Sequence, residues 1–249
     1  MHEFKDRYAS HEHALRTLEL VSVFDDFMDS ISVVADMGCG GGLDIEWFAT
    51  LEDRSPEKKP YNYTCYAVDR DITQMSDILP KNITVFTEDF DTVTFPKSVD
   101  WIWSHDSFQF ATNPLGTLAH WNSLMTVNGM LLMVVPQSMS HSYNRYATRT
   151  FNGNYFNYNA CSLIYMLAVN GFDCRDSYFY KTANNPWIYL AVYKTAIPPM
   201  NPKNTTWYDL EEKGLLHDSI IASIRKFGYL RQEDIIMPWL DKNWYTVCD

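Results

Sequence analysis

Short apolar runs alternate with stretches of helical spacing along most of the chain, a pattern that predicts a parallel α/β sheet. The first thirty residues read as helix: Leu15, Leu18 and Phe24 lie near helical spacing among polar neighbours, with Ser10 as candidate N-cap. Ile31–Asp36 is a buried strand that ends on an acid. It runs into Gly38-Cys39-Gly40-Gly41-Gly42 and then a helix from Leu43 to about Leu51. Glu52–Tyr61 is polar, carries Pro56 and Pro60, and reads as a loop. Tyr63–Asp69 is a second strand ending on an acid, and a short helix through Met75 and Ile78 is expected to stop near Pro80. Ile83–Thr87 is a third strand, closing on Glu88-Asp89-Phe90.

Val99–Ser104 is a fourth strand, followed by His105-Asp106. Pro114 opens a helix carrying Leu118, Trp121 and Met125. Asn128-Gly129 signals a turn before the apolar fifth strand, Met130–Val135. A polar-aromatic stretch, Pro136–Asn157, precedes a helix through Leu163, Met166 and Leu167 that ends at Asn170-Gly171. Cys174–Lys181 and Trp187–Lys194 are strands joined by Ala183-Asn184-Asn185-Pro186. That linker is too short for a helical crossover, so the pair is antiparallel. Past Ile197–Pro202 one amphipathic helix carries Leu216, Ile220, Ile221 and Ile224 on one side, and a cap on the sheet is the plainer role for it than a dimer face. Five β–α units and a terminal hairpin place a ligand at the carboxyl ends of the strands, near the switch point.

Composition narrows the function classes. The chain has 249 residues, 46% hydrophobic, enough for one large core with appended helices. Its formal net charge of -11 opposes a nucleic-acid partner. No apolar run approaches the ~20 residues of a membrane span. The start has no basic n-region or apolar h-region, so a cytoplasmic protein is expected. Five cysteines without a C-x-x-C pair indicate neither a disulfide framework nor a zinc cluster. The glycosylation sequons at Asn62, Asn82 and Asn204 read as chance. His11 and His13 are alternate residues of a helix and do not share a face, so no metal site is expected.

Asp36-Met37-Gly38-Cys39-Gly40-Gly41-Gly42 is the most specific stretch. Glycines after a strand let the backbone turn sharply and approach a ligand, and the helix that follows offers unpaired N–H groups. A dinucleotide loop, G-x-G-x-x-G from Gly38, needs a small residue where Leu43 stands, which disfavours a dehydrogenase. The pattern D-x-G-x-G-x-G resembles motif I of the class I S-adenosylmethionine-dependent methyltransferases. The resemblance spans about Val33 to Lys194, hairpin included. It implies a Rossmann-like α/β fold with a seven-stranded sheet: a helical cap over 1–30, a cofactor-binding core over 31–197 and a helical extension over 198–249. It implies S-adenosylmethionine as cofactor and S-adenosylhomocysteine as product. Asp36, Gly38, Cys39, Gly40 and Gly42 would then face the methionine part, and Asp69, with Arg70 beside it, the ribose. Asp89 and Phe90 would face the adenine, and Ser104 the methyl end. Asp71 rivals Asp69 but lies beyond the strand end.

Methyl transfer is an in-line displacement at an activated carbon, so the protein mainly aligns the reactants and excludes water. A base is needed only when the acceptor must lose a proton. Trp103-Ser104-His105-Asp106 resembles the corresponding segment of small-molecule methyltransferases of the glycine/sarcosine type. It departs from the Asn/Asp-Pro-Pro-aromatic motif of nucleic-acid base methyltransferases. His105 is the candidate general base or substrate anchor, or else a histidine lining the pocket. Asp106 either binds a cationic substrate or caps the next helix, and Gln109 joins the substrate candidates. Tyr143, Arg145, Tyr146 and Arg149 crowd the stretch expected to form a lid. Aromatic faces there can hold an ammonium group for about 0.5–2 kcal/mol, whereas the arginines suit a carboxylate; the two point to different substrates. The expected function is methyl transfer to a small molecule by a monomer or homodimer. The alternatives are a protein or RNA acceptor, or a protein that binds the cofactor without turnover.

Overall fold

Seven strands form one sheet, in the order β3-β2-β1-β4-β5-β7-β6, in the computed structural model. It describes residues 28–52, 57–136, 156, 158–180, 187–231 and 235. β1 (Val33–Met37) is buried along its whole length, as a strand covered on both faces must be. It lies at the centre, parallel to β2 (Thr64–Val68) and to β4 (Val99–His105). β3 (Ile83–Phe86) forms the edge beyond β2 and is only partly buried. β5 (Met125–Pro136) lies parallel to β4. β7 (Trp187–Lys194) is antiparallel to both β5 and β6 (Phe172–Tyr180). From β1 the chain builds outward through β2 and β3, then crosses back to β4, so the switch point lies between β1 and β4.

Alternate residues of the central strands feed two cores. On one face Val34, Cys65, Ala67, Trp101 and Trp103 pack with Ile45 and Phe48 of α1 (Leu43–Ala49). Phe48 meets both tryptophans edge-on, with ring centroids 4.8 and 5.0 Å apart. On the other face Val33, Ala35, Tyr66 and Ile102 pack with α2 (Pro114–Leu124), α3 (Ala160–Val169) and the tail. Local chemistry sets the helix starts. Asn113 accepts from the Gly116 amide with Pro114 just inside α2, and Asn159 and Ser162 form a reciprocal box at α3.

The tail folds onto the sheet. α4 (Trp207–Glu212) and α5 (Asp218–Phe227) bury Leu210, Ile220, Ile221 and Ile224 in the second core. The Cys174 amide donates to Leu215 O at 2.9 Å, which pins the tail to β6. The cap expected of this segment is therefore what α5 forms. α4 was not anticipated, because six residues are too few for periodicity to show; a box of Thr206 and Asp209 starts it.

Two local expectations are overturned. No helix runs through Met75 and Ile78; residues 71–80 are turns and bends. Asp71 Oδ1 accepts from the amide and hydroxyl of Thr73, a local bond that competes with helix, and Ile78 is 87% exposed, so no apolar stripe exists to bury. Asn128-Gly129 does not separate a turn from a new strand. β5 already begins at Met125, and Asn128, at φ 66°, makes a bulge that shifts the register from Val99↔Met125 to Trp101↔Met130. The expected N-terminal helix and the lid stretch lie outside the described residues, save 28–30 and, in the lid stretch, Pro136 and Phe156.

Candidate functional site

The glycine loop is shaped by what crowds it. Gly38 and Cys39 both donate to Val68 O, at 2.8 and 3.0 Å, which lashes the loop to the end of β2. Gly38 has φ 82°, and a Cβ there would stand 2.3 Å from the Cβ of Ser107. Ser107 is itself buried and donates to Met37 O, so the loop after β4 packs directly on the loop after β1. Gly40, at φ 49°, is different: a Cβ there would meet none of the described residues within 4 Å. Among the described residues the backbone at Gly40 is uncovered, as a main-chain cradle for a ligand requires.

Asp69, at the end of β2, holds the loop from the other side. Its Oδ2 accepts from the Gly40 amide at 2.8 Å and its Oδ1 from the Asp71 amide at 3.0 Å. Each oxygen keeps a second lone pair for a hydroxyl donor. Asp71, the rival acid, is exposed and engaged with Thr73. Arg70 is mostly exposed and stands 3.6 Å from Asp89 Oδ2, across the ends of β2 and β3. Asp89 Oδ1 accepts from the Asp91 amide, and half-buried Phe90 lies edge-on to Trp121.

Asp36 is buried, and its Oδ2 has no hydrogen-bond partner among the described residues. Burial, then the carboxylates of Asp44 and Asp69, pushes its carboxyl well above the ordinary range. A buried acceptor without a donor, among like charges, suits a cationic group brought by a ligand. Cys39 is buried with its thiol against Met75 Sδ, so it reaches a ligand through its backbone rather than its sulfur.

At the end of β4 the side chains point to three different places. Ser104 is fully buried and its hydroxyl pairs with that of Ser107 at 2.8 Å. That hydroxyl is thereby engaged within the protein. His105 Nδ1 lies 2.9 Å from Asp44 Oδ2, and the same oxygen accepts from Trp103 Nε1 at 2.9 Å. Asp106 has φ 55° and donates its amide to Val134 O at 3.0 Å. Its Oδ1 accepts from Gln109 Nε2 and caps no helix; the short 3-10 turn Phe108–Phe110 has no side-chain cap. Asp106 remains accessible, but the surrounding protein strips enough water to push its carboxyl up to about 6, against the opposing pull of His105 and Gln109. Gln109 is buried and holds Asp106 through its Nε2.

The strand order therefore gathers Asp36, Gly38, Cys39, Gly40, Gly42, Asp69, His105 and Asp106 around the switch point, with Asp89 and Phe90 one strand outward. Tyr143, Arg145, Tyr146 and Arg149 lie outside the described residues. Asp44 and Ser107 were missed. An acid in the first turn after a glycine loop was the available signal for Asp44; nothing in the sequence marks Ser107. Among the described residues no group of three or more His, Cys, Asp or Glu could hold a metal ion, and no helix is long and apolar enough to cross a membrane.

A profile of the family described as "Methyltransferase domain" matches residues 35–133, from β1 into β5. Over residues 35–133 the chain is similar to that family. A structure of like fold is solved with S-adenosylmethionine bound. The open backbone at Gly40, the unpartnered Asp36 oxygen and the acidic surroundings all fit that cofactor, which carries a sulfonium and an ammonium. The StiE O-MT structure is 13% identical, covers 86% of this chain and 84% of its own, and superposes with a TM-score of 0.55. Magnesium protoporphyrin IX methyltransferase from Synechocystis PCC 6803, solved with S-adenosylhomocysteine, is 14% identical over 77% of this chain and 86% of its own (TM-score 0.52). Human N-acetylserotonin methyltransferase, solved with S-adenosylmethionine, is 14% identical over 74% of this chain and 55% of its own (TM-score 0.51). These likenesses establish the class I methyltransferase fold. Among curated proteins no sequence matches this chain.

Proposed function

We propose that this enzyme transfers the methyl group of S-adenosylmethionine to a small-molecule acceptor seated over the end of β4. The cofactor supplies a methyl carbon already activated by a positive sulfur. Gly38, Cys39, Gly40 and Gly42 cradle its methionine part through main chain, and Asp36 accepts from its ammonium. Asp69 accepts from the ribose hydroxyls, with Arg70 alongside. Asp89 accepts from the adenine amino group, and Phe90 lies against the ring. Tyr143, Arg145, Tyr146 and Arg149 complete the acceptor side.

The observation that carries this is the pair His105–Asp106 beside the glycine loop: Asp44 stands 2.9 Å from the histidine and Ser107 packs under Gly38. In this reading His105 anchors the acceptor side or takes its proton, and Asp106 binds a positive or hydroxyl-bearing acceptor. Asp44, Asp69 and Asp106 make the mouth acidic, which repels a phosphate backbone and favours a small molecule over RNA. Two structures of like fold carry small-molecule acceptors in their names. Cys39, Cys65, Cys161 and Cys174 are free thiols, which suits a reducing compartment, and we place the enzyme in the cytoplasm.

Calorimetry with S-adenosylmethionine against NAD, then mass spectrometry of a metabolite extract for a gain of one methyl, tests this. Binding of the first alone and a methylated metabolite are expected. Label entering only added protein or RNA would overturn the small-molecule acceptor.

A further inference from the structure

We infer, on the proposed methyl-transfer function, that the acceptor carries a positively charged nitrogen, bound by the Asp106 carboxylate and the Phe156 ring, with Gln109 as the residue that positions both. The sequence left two kinds of acceptor open, an ammonium suited to aromatic rings and a carboxylate suited to arginines. The described part of the acceptor side carries groups of the first kind. Asp106 follows β4 at the switch point and is exposed, so a ligand can reach it. Its backbone, at φ 55°, is held by its own amide, which donates to Val134 O at 3.0 Å, and its Oδ1 is held by Gln109 Nε2. Its Oδ2 takes no donor from the described residues. A carboxylate oxygen that is fixed in place, short of water and without a donor attracts a cation. With its carboxyl at about 6, Asp106 is ionised at neutral pH.

Gln109 ties this acid to an aromatic side chain. It is buried; its side chain donates to Asp106 and its backbone carbonyl accepts from the Phe156 amide at 3.2 Å. Two residues far apart in sequence are thus bonded to the same third one. Phe156 is 39% exposed, although phenylalanine is a residue that folding usually hides. Its ring lies 6.4 Å from that of Tyr158, which stacks on the buried ring of Phe108 at 5.3 Å and donates to Phe108 O. The row of rings gives Phe156 a fixed neighbour while part of it stays accessible, and an accessible aromatic face attracts a cation. Asp44, bonded to His105 next to Asp106, adds negative charge. A substrate carboxylate placed here would meet repulsion; an ammonium would not.

The test uses the full chain with S-adenosylhomocysteine bound and two probes of like size and opposite charge, benzylammonium and benzoate, titrated by calorimetry. Benzylammonium should bind and benzoate should not. Asp106→Asn, which keeps the shape, should weaken benzylammonium about tenfold or more, and Phe156→Leu about threefold or more, with Phe156→Tyr restoring the affinity. Gln109→Met should weaken it in the parent and add nothing in Asp106→Asn, a coupling that a merely structural role would not produce. Should Gln109→Met fail to fold, the exposed positions 106 and 156 still decide. Equal or tighter binding of benzoate, no binding of benzylammonium, or parental affinity in Asp106→Asn overturns the inference. With labelled cofactor and a metabolite extract divided on a cation exchanger, the methyl acceptor should be in the retained fraction, and an acceptor found only in the flow-through also overturns it. If the parent methylates neither fraction, the proposed function fails, while the probe pair still decides whether the site takes a cation.

Discussion

The Gly40 amide donates to Asp69 Oδ2 at 2.8 Å, so the carboxylate at the end of β2 braces the very loop that follows β1. The same side chain is proposed to meet the ribose. Loop geometry and nucleoside recognition are thus tied to one residue.

Asp69→Ala should weaken S-adenosylmethionine binding about 10–100-fold, the effect expected from losing hydrogen bonds to a charged group. Calorimetry on the folded variant measures it. Parental affinity would remove Asp69 from the cofactor site.

Gly38 and Gly40 should respond differently to alanine. Gly38→Ala puts a Cβ 2.3 Å from Ser107 and should destabilise the fold by about 1–3 kcal/mol or more. Gly40→Ala meets no atom of the described residues, so stability should fall only by the about 1–2 kcal/mol of a left-handed backbone, while cofactor affinity drops sharply. Thermal melts with and without cofactor separate the two.

Asp106 gives a pH dependence with a definite sign. Its carboxyl rises from the ordinary 3.8 to about 6 in the folded protein. Between those values the native state binds more protons than the unfolded chain, so this group's contribution to stability falls as pH rises through the window. Asp106→Asn should therefore melt higher than the parent at pH 7, and the difference should vanish near pH 3.8. Asparagine also tolerates φ 55°. An unchanged or lower melting temperature at pH 7 would contradict this.

Asp36 should make cofactor binding release a proton. Burial and its carboxylate neighbours favour its protonated form when no ligand is present, and an ammonium placed against it favours the ionised one. The binding enthalpy near pH 6 should then vary with the ionisation enthalpy of the buffer. A buffer-independent enthalpy in both the parent and Asp36→Asn would rule this out.

Ile220 tests whether the tail belongs to the core. It is fully buried in the cluster that includes Leu163 and Cys174, so Ile220→Ala should cost about 2–5 kcal/mol in denaturant unfolding. A loss below about 1 kcal/mol would mean that the tail docks weakly.

Much of the framework was legible because its causes are local. Val33–Met37 reads as a strand because consecutive apolar residues suit a sheet covered on both sides, and Gly38–Gly42 reads as a ligand loop because only glycine takes such turns freely. Trp187–Lys194 was bounded correctly by Pro186 and a polar end. The misreading at Met75–Ile78 is also local: Asp71 offered the backbone a turn that spacing alone does not register.

Adjacent residues settled where strands, loops and most helices fall, and hence the switch point at which a ligand must sit. Which groups meet there depended on distant parts of the chain coming together. Asp44 is 59 residues from Trp103 and 61 from His105, and β1 lies beside β4 only through a crossover in strand order. Partnership and protonation follow from that juxtaposition, because loss of water and nearness of charge are properties of packed neighbours and leave no mark on the order of residues.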